Sequence, residues 1–121
     1  MRTIKFRAWN KELKYMLVEA VEFREDRVKN TTLGGNWEWM QFTGLTDKNG
    51  KEIYEGDIVI VPEIIPRGDG YYDDGIFVVR WTGGHWDVRN DYNLITEWLE
   101  ELNFDCNVIG NLFETPDLLT D

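Results

Sequence analysis

The N-terminal part of the chain alternates apolar and polar positions in the way that β-strands do. Residues 4–9 read IKFRAW, in which Ile, Phe and Ala stand at every second position, the period typical of a strand with one apolar face. The polar residues 10–12 can reverse the chain into a second strand over Leu13–Val18. We therefore predict an N-terminal hairpin, with a further alternating segment from Val21 to about Val28.

Another strand is predicted over Trp37–Phe42, after the glycine pair Gly34-Gly35. The two tryptophans of this segment would share one face of the strand, and Met40 and Phe42 would share the other. A strand that is apolar on both faces is typically covered on both sides. We expect the protein core to cover one face and a second subunit to cover the other.

The middle of the chain contains a turn, a strand and a loop. Asn49-Gly50 favours a type I′ turn with positive φ at both residues, because these residue types tolerate that conformation. A strand is predicted over Ile53–Val61, interrupted by Gly56-Asp57 and ended by Pro62, which lacks a backbone donor. Residues 63–75, EIIPRGDGYYDDG, contain three glycines, a proline and several acids, which indicates a surface loop.

The C-terminal half predicts a second hairpin and one helix. With Gly83-Gly84 as a two-residue turn, Trp81 faces Trp86 across the strand pair. Residues 94–102 place apolar side chains at helical spacing. A last strand is predicted over Val108–Phe113, and Thr115-Pro116 favours a terminal helical turn, because proline is preferred at the first helical position.

These elements predict one domain over residues 1–121 of mainly β class. The chain of 121 residues can bury roughly two-thirds of the surface that its unfolded form exposes. This is enough for a hydrophobic core without disulfide or metal cross-links. We expect short antiparallel strands in a twisted, barrel-like arrangement, either an SH3-like or a complex β-barrel, with one C-terminal helix.

Three segments of the chain resemble the signature segments of the YopX family of phage and prophage proteins. They occur in the family's order and together extend over nearly the whole chain. The segments are KFRAWNKELKYM at Lys5–Met16, QFTGLTDKNGKEIYEGDIV at Gln41–Val59, and NVIGNLFETPDLL at Asn107–Leu119. The resemblance implies a small, largely β protein, made inside an infected or lysogenic bacterium and able to self-associate. It implies no activity and no catalytic residues.

Charge is unevenly distributed along the sequence, with a formal net charge of −10 at pH 7. Residues 1–29 hold eight basic and five acidic residues, a net charge of +3, and residues 30–121 hold five and eighteen, a net charge of −13. Such a surface repels a phosphate backbone and attracts basic partners, although a solvated acidic surface explains the same composition. The single cysteine and the absence of a long apolar run lead us to expect a cytoplasmic protein with no membrane contact.

The sequence offers few residues for chemistry. Cys106 would need a base, and the single histidine, His85, lies at a predicted turn elsewhere in the chain. Two N/S side chains are too few for a structural zinc site, and the spacing in DGYYDDG lacks the alternating ligands and distal glutamate of a calcium loop. We therefore predict no catalytic residues, no metal, no cofactor and no enzymatic activity.

Two kinds of binding remain. We expect a phage or prophage accessory protein that binds another protein, with a basic host or phage protein as partner and a homo-oligomer as its own state. The alternative is a nucleic-acid-binding module that uses the basic N-terminal hairpin and exposed tryptophans as stacking platforms; the acidic charge makes nucleic acid the less favoured partner. The candidate interaction surface consists of Trp37, Trp39, Asp69, Tyr71, Tyr72, Asp73 and Asp74.

Overall fold

The computed structural model describes residues 5–22, 37–90, 95–102 and 105–119. The predicted continuation of a strand from residue 23 to Val28 and the glycine pair Gly34-Gly35 lie outside these ranges. Within them the chain forms nine strands and two short 3₁₀ turns. The strands are β1 (Lys5–Asn10), β2 (Tyr15–Glu22), β3 (Trp37–Thr46), β4 (Glu52–Tyr54), β5 (Asp57–Pro66), β6 (Tyr72–Thr82), β7 (His85–Asn90), β8 (Ile95–Trp98) and β9 (Asn107–Asn111).

The strands pair into two antiparallel sheets. The first has the order β2-β1-β3-β4, and the second has the order β8-β7-β6-β5-β9. The fold is mainly β, as the sequence predicts, and its strands curl into a half-barrel. The predicted N-terminal hairpin is present, and Asn10 closes its turn by accepting hydrogen bonds from the backbone N–H groups of Glu12 and Leu13 through Oδ1.

The turn at Asn49-Gly50 exists, but its predicted conformation is wrong. Gly50 has a φ of 81°, whereas Asn49 is not among the described non-glycine residues with positive φ. The Gly50 N–H donates to the carbonyl of Asp47, and the Asp47 N–H donates to the carbonyl of Lys51. This is the pattern of a three-residue loop whose glycine forms a bulge, so only one residue needs the left-handed region.

The strand that begins after Gly56 does not end at Pro62. It continues to Pro66 across a register shift between Val61 and Ile65, and Glu63 within this bulge has a φ of 50°. A bulge leaves one residue outside the ladder, so a proline without a donor is tolerated there. The predicted loop over residues 63–75 is therefore mostly two strands, joined by a loop over residues 67–71.

The hairpin at Gly83-Gly84 is confirmed. Both glycines have positive φ, and Trp81 pairs with Trp86 as predicted. The two indole rings make an edge contact with centroids 4.9 Å apart.

The predicted helix over residues 94–102 is wrong. Strand β8 occupies Ile95–Trp98, followed by a 3₁₀ turn over Leu99–Leu102. Pairing with β7 places Trp98 opposite Asp87, which supplies a backbone ladder that the apolar spacing alone does not reveal. The terminal turn is confirmed as a 3₁₀ turn over Pro116–Leu119. The described part of the chain contains no α-helix, and no helix in it is long and apolar enough to cross a membrane.

The core lies mainly on the second sheet, with residues from β5, β6 and β7, and it includes Ile53 from β4 of the first sheet. Strand β5 is flanked by β6 and β9, and Ile58 and Val59 are fully buried on its two faces. This placement explains the apolar run of β5 without a second subunit. The buried cluster consists of Ile53, Val59, Val61, Phe77, Val79, Trp86, Val88, Leu99 and Cys106.

Glu55 and Gly56 join the two sheets at the turn between β4 and β5. The Glu55 N–H donates to the carbonyl of Gln41 in the first sheet, and the Gly56 N–H donates to the carbonyl of Val79 in the second. The Gly56 carbonyl accepts from the Leu112 N–H, just after β9. Three polar main-chain groups of one turn therefore tie the sheets together.

Substituting the turn glycines tests the role of positive φ in this fold. Gly50→Val and Gly84→Val should each lower the free energy of unfolding by about 1–3 kcal/mol. A Cβ at either position meets no atom within 4 Å, so the cost arises from backbone strain. Thermal or urea unfolding measures it, and Gly50→Asn should cost less because asparagine tolerates this region. Unchanged midpoints for both valine variants would contradict the prediction.

Candidate functional site

A cavity of about 580 Å³ opens between the terminal strand of each sheet. Strand β4 ends the first sheet and β9 ends the second, and we call this space the interstrand cavity. Its volume is typical of sites for small ligands or peptide segments. Its lining residues are Arg7, Met16, Lys51, Glu52, Tyr54, Asp57, Val108, Ile109, Gly110, Asn111, Glu114 and Thr115.

A buried ion pair between the two sheets forms part of the cavity wall. Arg7 of β1 donates from Nη2 to Asp57 Oδ1 of β5 at 2.6 Å, and their side chains are only 9% and 1% exposed. The other Asp57 oxygen accepts from the Tyr54 N–H at 2.8 Å. Both carboxylate oxygens are therefore engaged, which makes Asp57 a structural acceptor.

Burial is the largest influence on the proton affinity of this carboxylate. Desolvation raises the pKa of Asp57 above its ordinary value, while the charges of Arg7 and Lys51 and the hydrogen bonds from Arg7 and Tyr54 oppose that rise. The ionised form is costly to bury and is retained by its cation partner. Removal of that partner would leave an uncompensated charge.

Arg7 is held in place by more than its carboxylate. Its guanidinium carbon lies 4.8 Å from the centroid of the Tyr54 ring, a cation–π contact. Nη2 also approaches the carbonyl of Glu55 at 3.4 Å. Among the described residues, Nε is buried without a hydrogen-bond partner, so Arg7 does not use its full set of five donors.

The outer edge of β9 is closed by side chains. Asp47 Oδ2 accepts from the Val108 N–H at 2.9 Å, and Thr115 Oγ1 accepts from the Asn111 N–H at 3.0 Å. Thr115 packs so closely over Gly110 that a Cβ there would lie 1.9 Å from its hydroxyl. These two backbone donors are unavailable to an incoming strand, which protects the edge from non-specific pairing.

The structure splits the candidate surface predicted from sequence into two places. The acidic and tyrosine residues all lie around the end of the β5–β6 hairpin, which we call the hairpin tip (residues 67–74). Trp37 and Trp39 lie in β3 of the other sheet and are half-buried. Trp37 makes an edge contact with the ring of Tyr15 at 5.5 Å.

The hairpin tip displays aromatic and acidic groups to solvent. Tyr71 and Tyr72 are 70% and 56% exposed, and Asp69, Asp73 and Asp74 are also exposed. Arg67 lies 3.4 Å from Asp69 and 3.8 Å from Asp73. The tip therefore has an ordered internal arrangement and a net negative charge.

The tryptophans differ in their exposure. Trp9 and Trp86 are buried, whereas Trp81 and Trp98 are about half exposed. Trp98 stacks on His85 with ring centroids 4.0 Å apart. The sequence did not predict this arrangement, because it depends on the pairing of β8 with β7.

Cys106 and His85 lie in separate parts of the structure, because Cys106 precedes β9 and His85 begins β7. Cys106 is buried in the core cluster, and its pKa is raised to about 11 by burial and by the charges of Asp47 and Asp105. His85 Nε2 lies 3.8 Å from Asp87 Oδ2. Neither arrangement activates a thiolate.

Thiol modification tests this assignment. At about pH 8, we expect Cys106 of the native protein to react with iodoacetamide at least about a hundredfold more slowly than in the urea-unfolded chain. The raised pKa lowers the thiolate fraction by about two powers of ten, and burial slows access further. Mass spectrometry of timed samples gives both rates. Equal rates in the two states would contradict a buried, protonated thiol.

All twelve residues that line the interstrand cavity fall within the three segments that carry the family resemblance. The first segment supplies Arg7, the second supplies Asp57, and the third supplies the β9 wall. Sequence reasoning missed this site because it treated the segments as separate turns and strands. What the three segments share is that they meet at the interstrand cavity in the folded chain. The described residues contain no group of three or more His, Cys, Asp or Glu that could hold a metal ion.

Fold and cavity define a small, mainly β protein in which two antiparallel sheets meet at a buried ion pair. The chain belongs to the YopX family, since the family model described as YopX protein matches residues 5–120. The chain is also similar to a solved structure described as protein EF1440 from Enterococcus faecalis. The two share 25% sequence identity and a TM-score of 0.68, over 98% of this chain and 99% of that one. A comparison with curated proteins gave no significant match.

Proposed function

We propose that the protein is a non-enzymatic phage or prophage accessory protein that acts by binding another protein through its hairpin tip. Membership of the YopX family supports a phage-type protein. The observation that carries the binding proposal is the exposure of two adjacent tyrosines beside three aspartates at the tip. Tyrosines of this kind are enriched at protein interfaces because they combine a large apolar ring with a polar end.

The chemistry of the tip favours a basic partner. Its acids outnumber its one arginine, and residues 30–121 carry a net charge of −13. A field of this sign speeds the approach of a basic protein surface and slows that of a nucleic acid. The tyrosine rings would contribute the contact area, and the aspartates would orient the partner.

The competing nucleic-acid function would require a free basic surface on the N-terminal hairpin. Lys5 pairs with Glu52, and Lys11 lies 2.5 Å from Glu38. Arg7 is buried against Asp57. These contacts leave few cations for a phosphate backbone and weigh in favour of a protein partner.

A charge-matched comparison tests the proposed function. The tip variant Asp69→Asn/Asp73→Asn/Asp74→Asn and the control Glu97→Gln/Glu100→Gln/Asp117→Asn each remove three negative charges. We expect partners captured from a lysate of the bacterial host by the wild-type protein to be lost with the tip variant and retained with the control. Equal capture by both variants would exclude the tip. Labelled oligonucleotides that bind at micromolar concentration in about 150 mM salt would favour the nucleic-acid alternative.

We also propose that the protein forms a homo-oligomer, as the family resemblance implies. The half-exposed Trp81 and Trp98 provide apolar area for such a contact, and most soluble oligomers are closed and symmetric. Light scattering at tens of micromolar should give at least twice the 14.3 kDa of one chain. A mass equal to one chain would contradict this proposal.

A further inference from the structure

We propose that the interstrand cavity binds the carboxylate of a ligand with an apolar body, such as the free C-terminus of a peptide that ends in an aliphatic residue. The cavity is separate from the hairpin tip. Asp57 begins β5 and Pro66 ends it, and a strand of that length places them roughly 30 Å apart. The proposal therefore does not depend on the proposed function.

Arg7 has unused hydrogen-bonding capacity. Arginine commonly binds a carboxylate through two parallel N–H donors, but Arg7 reaches Asp57 through Nη2 alone. Asp57 cannot accept a second bond from Arg7 through its other oxygen without competing with the Tyr54 N–H. Nη2 also lies near the Glu55 carbonyl and Nε is buried, so the donors left for another acceptor are those of Nη1, on a side chain that is 9% exposed and lines the cavity.

Lys51 adds a second cation to the lining of the cavity. Its charge acts on Asp57, and its side chain is exposed and forms no ion pair within 4 Å among the described residues. The cavity acids are already engaged, since Glu52 pairs with Lys5 and Glu114 accepts from Asn111 Nδ2 at 2.7 Å. Glu114 keeps its charge, because its partner is a neutral amide, so Arg7 and Lys51 are the two cations through which a carboxylate would be held in the cavity.

The cavity also has an apolar side that suits the body of the ligand. Met16, Val108 and Ile109 give the cavity an apolar side, and Ile109 is 38% exposed. An aliphatic group placed there would remove apolar surface from water. An added β-strand is a poor fit, because Asp47 and Thr115 occupy two backbone donors of β9. The ligand is therefore held by its end group and side chain.

Backbone amide NMR with two matched probes tests the proposal. N-acetyl-leucine carries the carboxylate, and N-acetyl-leucinamide has the same body without the charge. We expect the acid to shift the amide resonances of Lys51, Ile109 and Gly110, with an affinity at least about tenfold higher than that of the amide, as a lost charged hydrogen bond implies. Equal shifts with both probes, or no shifts at millimolar acid, would overturn the proposal.

Variants separate the cavity from non-specific attraction to lysine. Lys51→Gln should weaken acid binding by about tenfold, while Lys48→Gln, an exposed lysine of the same turn that does not line the cavity, should leave it unchanged. Both positions are exposed, so both variants should fold. Equal effects of the two substitutions would overturn the proposal.

A peptide probe identifies the source of the carboxylate. A tetrapeptide that ends in leucine with a free carboxylate should bind at least tenfold more tightly than N-acetyl-leucine if the natural ligand is a polypeptide end. Equal affinities would assign the site to small free carboxylic acids, which supports the same chemistry. A tetrapeptide amide that binds as tightly as the free acid would contradict it.

Discussion

Replacing Arg7 with methionine should lower the free energy of unfolding at pH 7 by about 3–5 kcal/mol, the usual cost of breaking a buried ion pair by removing one partner. Methionine preserves much of the length of the side chain but removes the charge. Asp57 is only 1% exposed and would then either stay ionised without a cation or take up a proton, and both cost free energy at pH 7. Urea unfolding monitored by tryptophan fluorescence measures the loss.

The pH dependence of this loss follows from the pKa of Asp57. Burial raises that pKa above 3.8 in the folded protein. At pH values between 3.8 and the folded pKa, the folded state therefore binds more protons than the unfolded chain. Stability therefore falls as the pH rises through the folded pKa. Arg7 opposes the rise, and its removal moves the folded pKa further upward. The difference between variant and wild type should thus be small below about pH 4 and largest near neutrality.

A double variant provides the control. Arg7→Met/Asp57→Asn removes both charges while the asparagine oxygen can still accept the Tyr54 N–H. We expect it to be more stable at pH 7 than Arg7→Met, because no buried charge remains unpaired. A double variant as unstable as the sum of both single variants, or a single-variant loss that does not change with pH, would contradict the assignment of this ion pair.

Local sequence signals predicted where the chain turns at glycine, although the conformation predicted for Asn49 was wrong. Gly83-Gly84 gave the correct hairpin because a two-residue turn with positive φ strongly favours glycine. The helix over residues 94–102 failed for the opposite reason. Apolar spacing within a short segment is compatible with a helix or with a strand plus a turn, and the ladder with β7 decides between them.

Proline was misinterpreted in a similar way. Pro62 indicates the end of a central ladder, because proline has no backbone N–H to donate. The bulge around Glu63 means that no donor is needed at this position, so the strand continues to Pro66. A bulge depends on how two strands pair, so no residue of β5 alone predicts it. Asp69, Asp73 and Asp74 were consequently predicted as part of a long loop, although they lie around the end of the β5–β6 hairpin.

The interstrand cavity was the least predictable part of the structure. Arg7 and Asp57 are 50 residues apart in the chain, and each is an ordinary charged residue in an alternating or turn-rich segment. Their pairing depends on the packing of two sheets. The resemblance to the YopX family marked the segments involved but carried no information about their spatial arrangement.

Asp47→Ala should destabilise the protein about as much as Arg7→Met does. We expect it to lower the free energy of unfolding by about 3–5 kcal/mol. This carboxylate is part of a residue only 4% exposed. Oδ1 accepts from the N–H groups of Asn49 and Lys51, each at 2.9 Å. Oδ2 accepts from the Val108 N–H, so one side chain closes the turn before β4 and fixes it to β9.

The destabilisation caused by Asp47→Ala should extend beyond the turn. Three backbone donors lose their acceptor, and the Val108 donor lies at the point where the two sheets face each other across the cavity. Asp47→Asn should cost less, about 1–3 kcal/mol, because its oxygen can retain the turn while its Nδ2 group opposes the Val108 N–H. Hydrogen exchange of the Val108 amide should accelerate in both variants.

Asp69→Ala is the matched control for this prediction. Asp69 also accepts from the backbone N–H two residues ahead, that of Tyr71, at 3.0 Å. Its turn is exposed at the hairpin tip, and among the described residues its carboxylate bonds or pairs only with Tyr71 and Arg67, both close to it in the chain. Its removal should cost no more than about 0.5–1 kcal/mol. If Asp69→Ala and Asp47→Ala were equally destabilising, the bond from Asp47 to β9 would add no measurable stability. The turn would then be held to β9 by its other hydrogen bonds, from the Lys48 N–H to the Cys106 carbonyl and from Asn49 Nδ2 to Asn107 Oδ1.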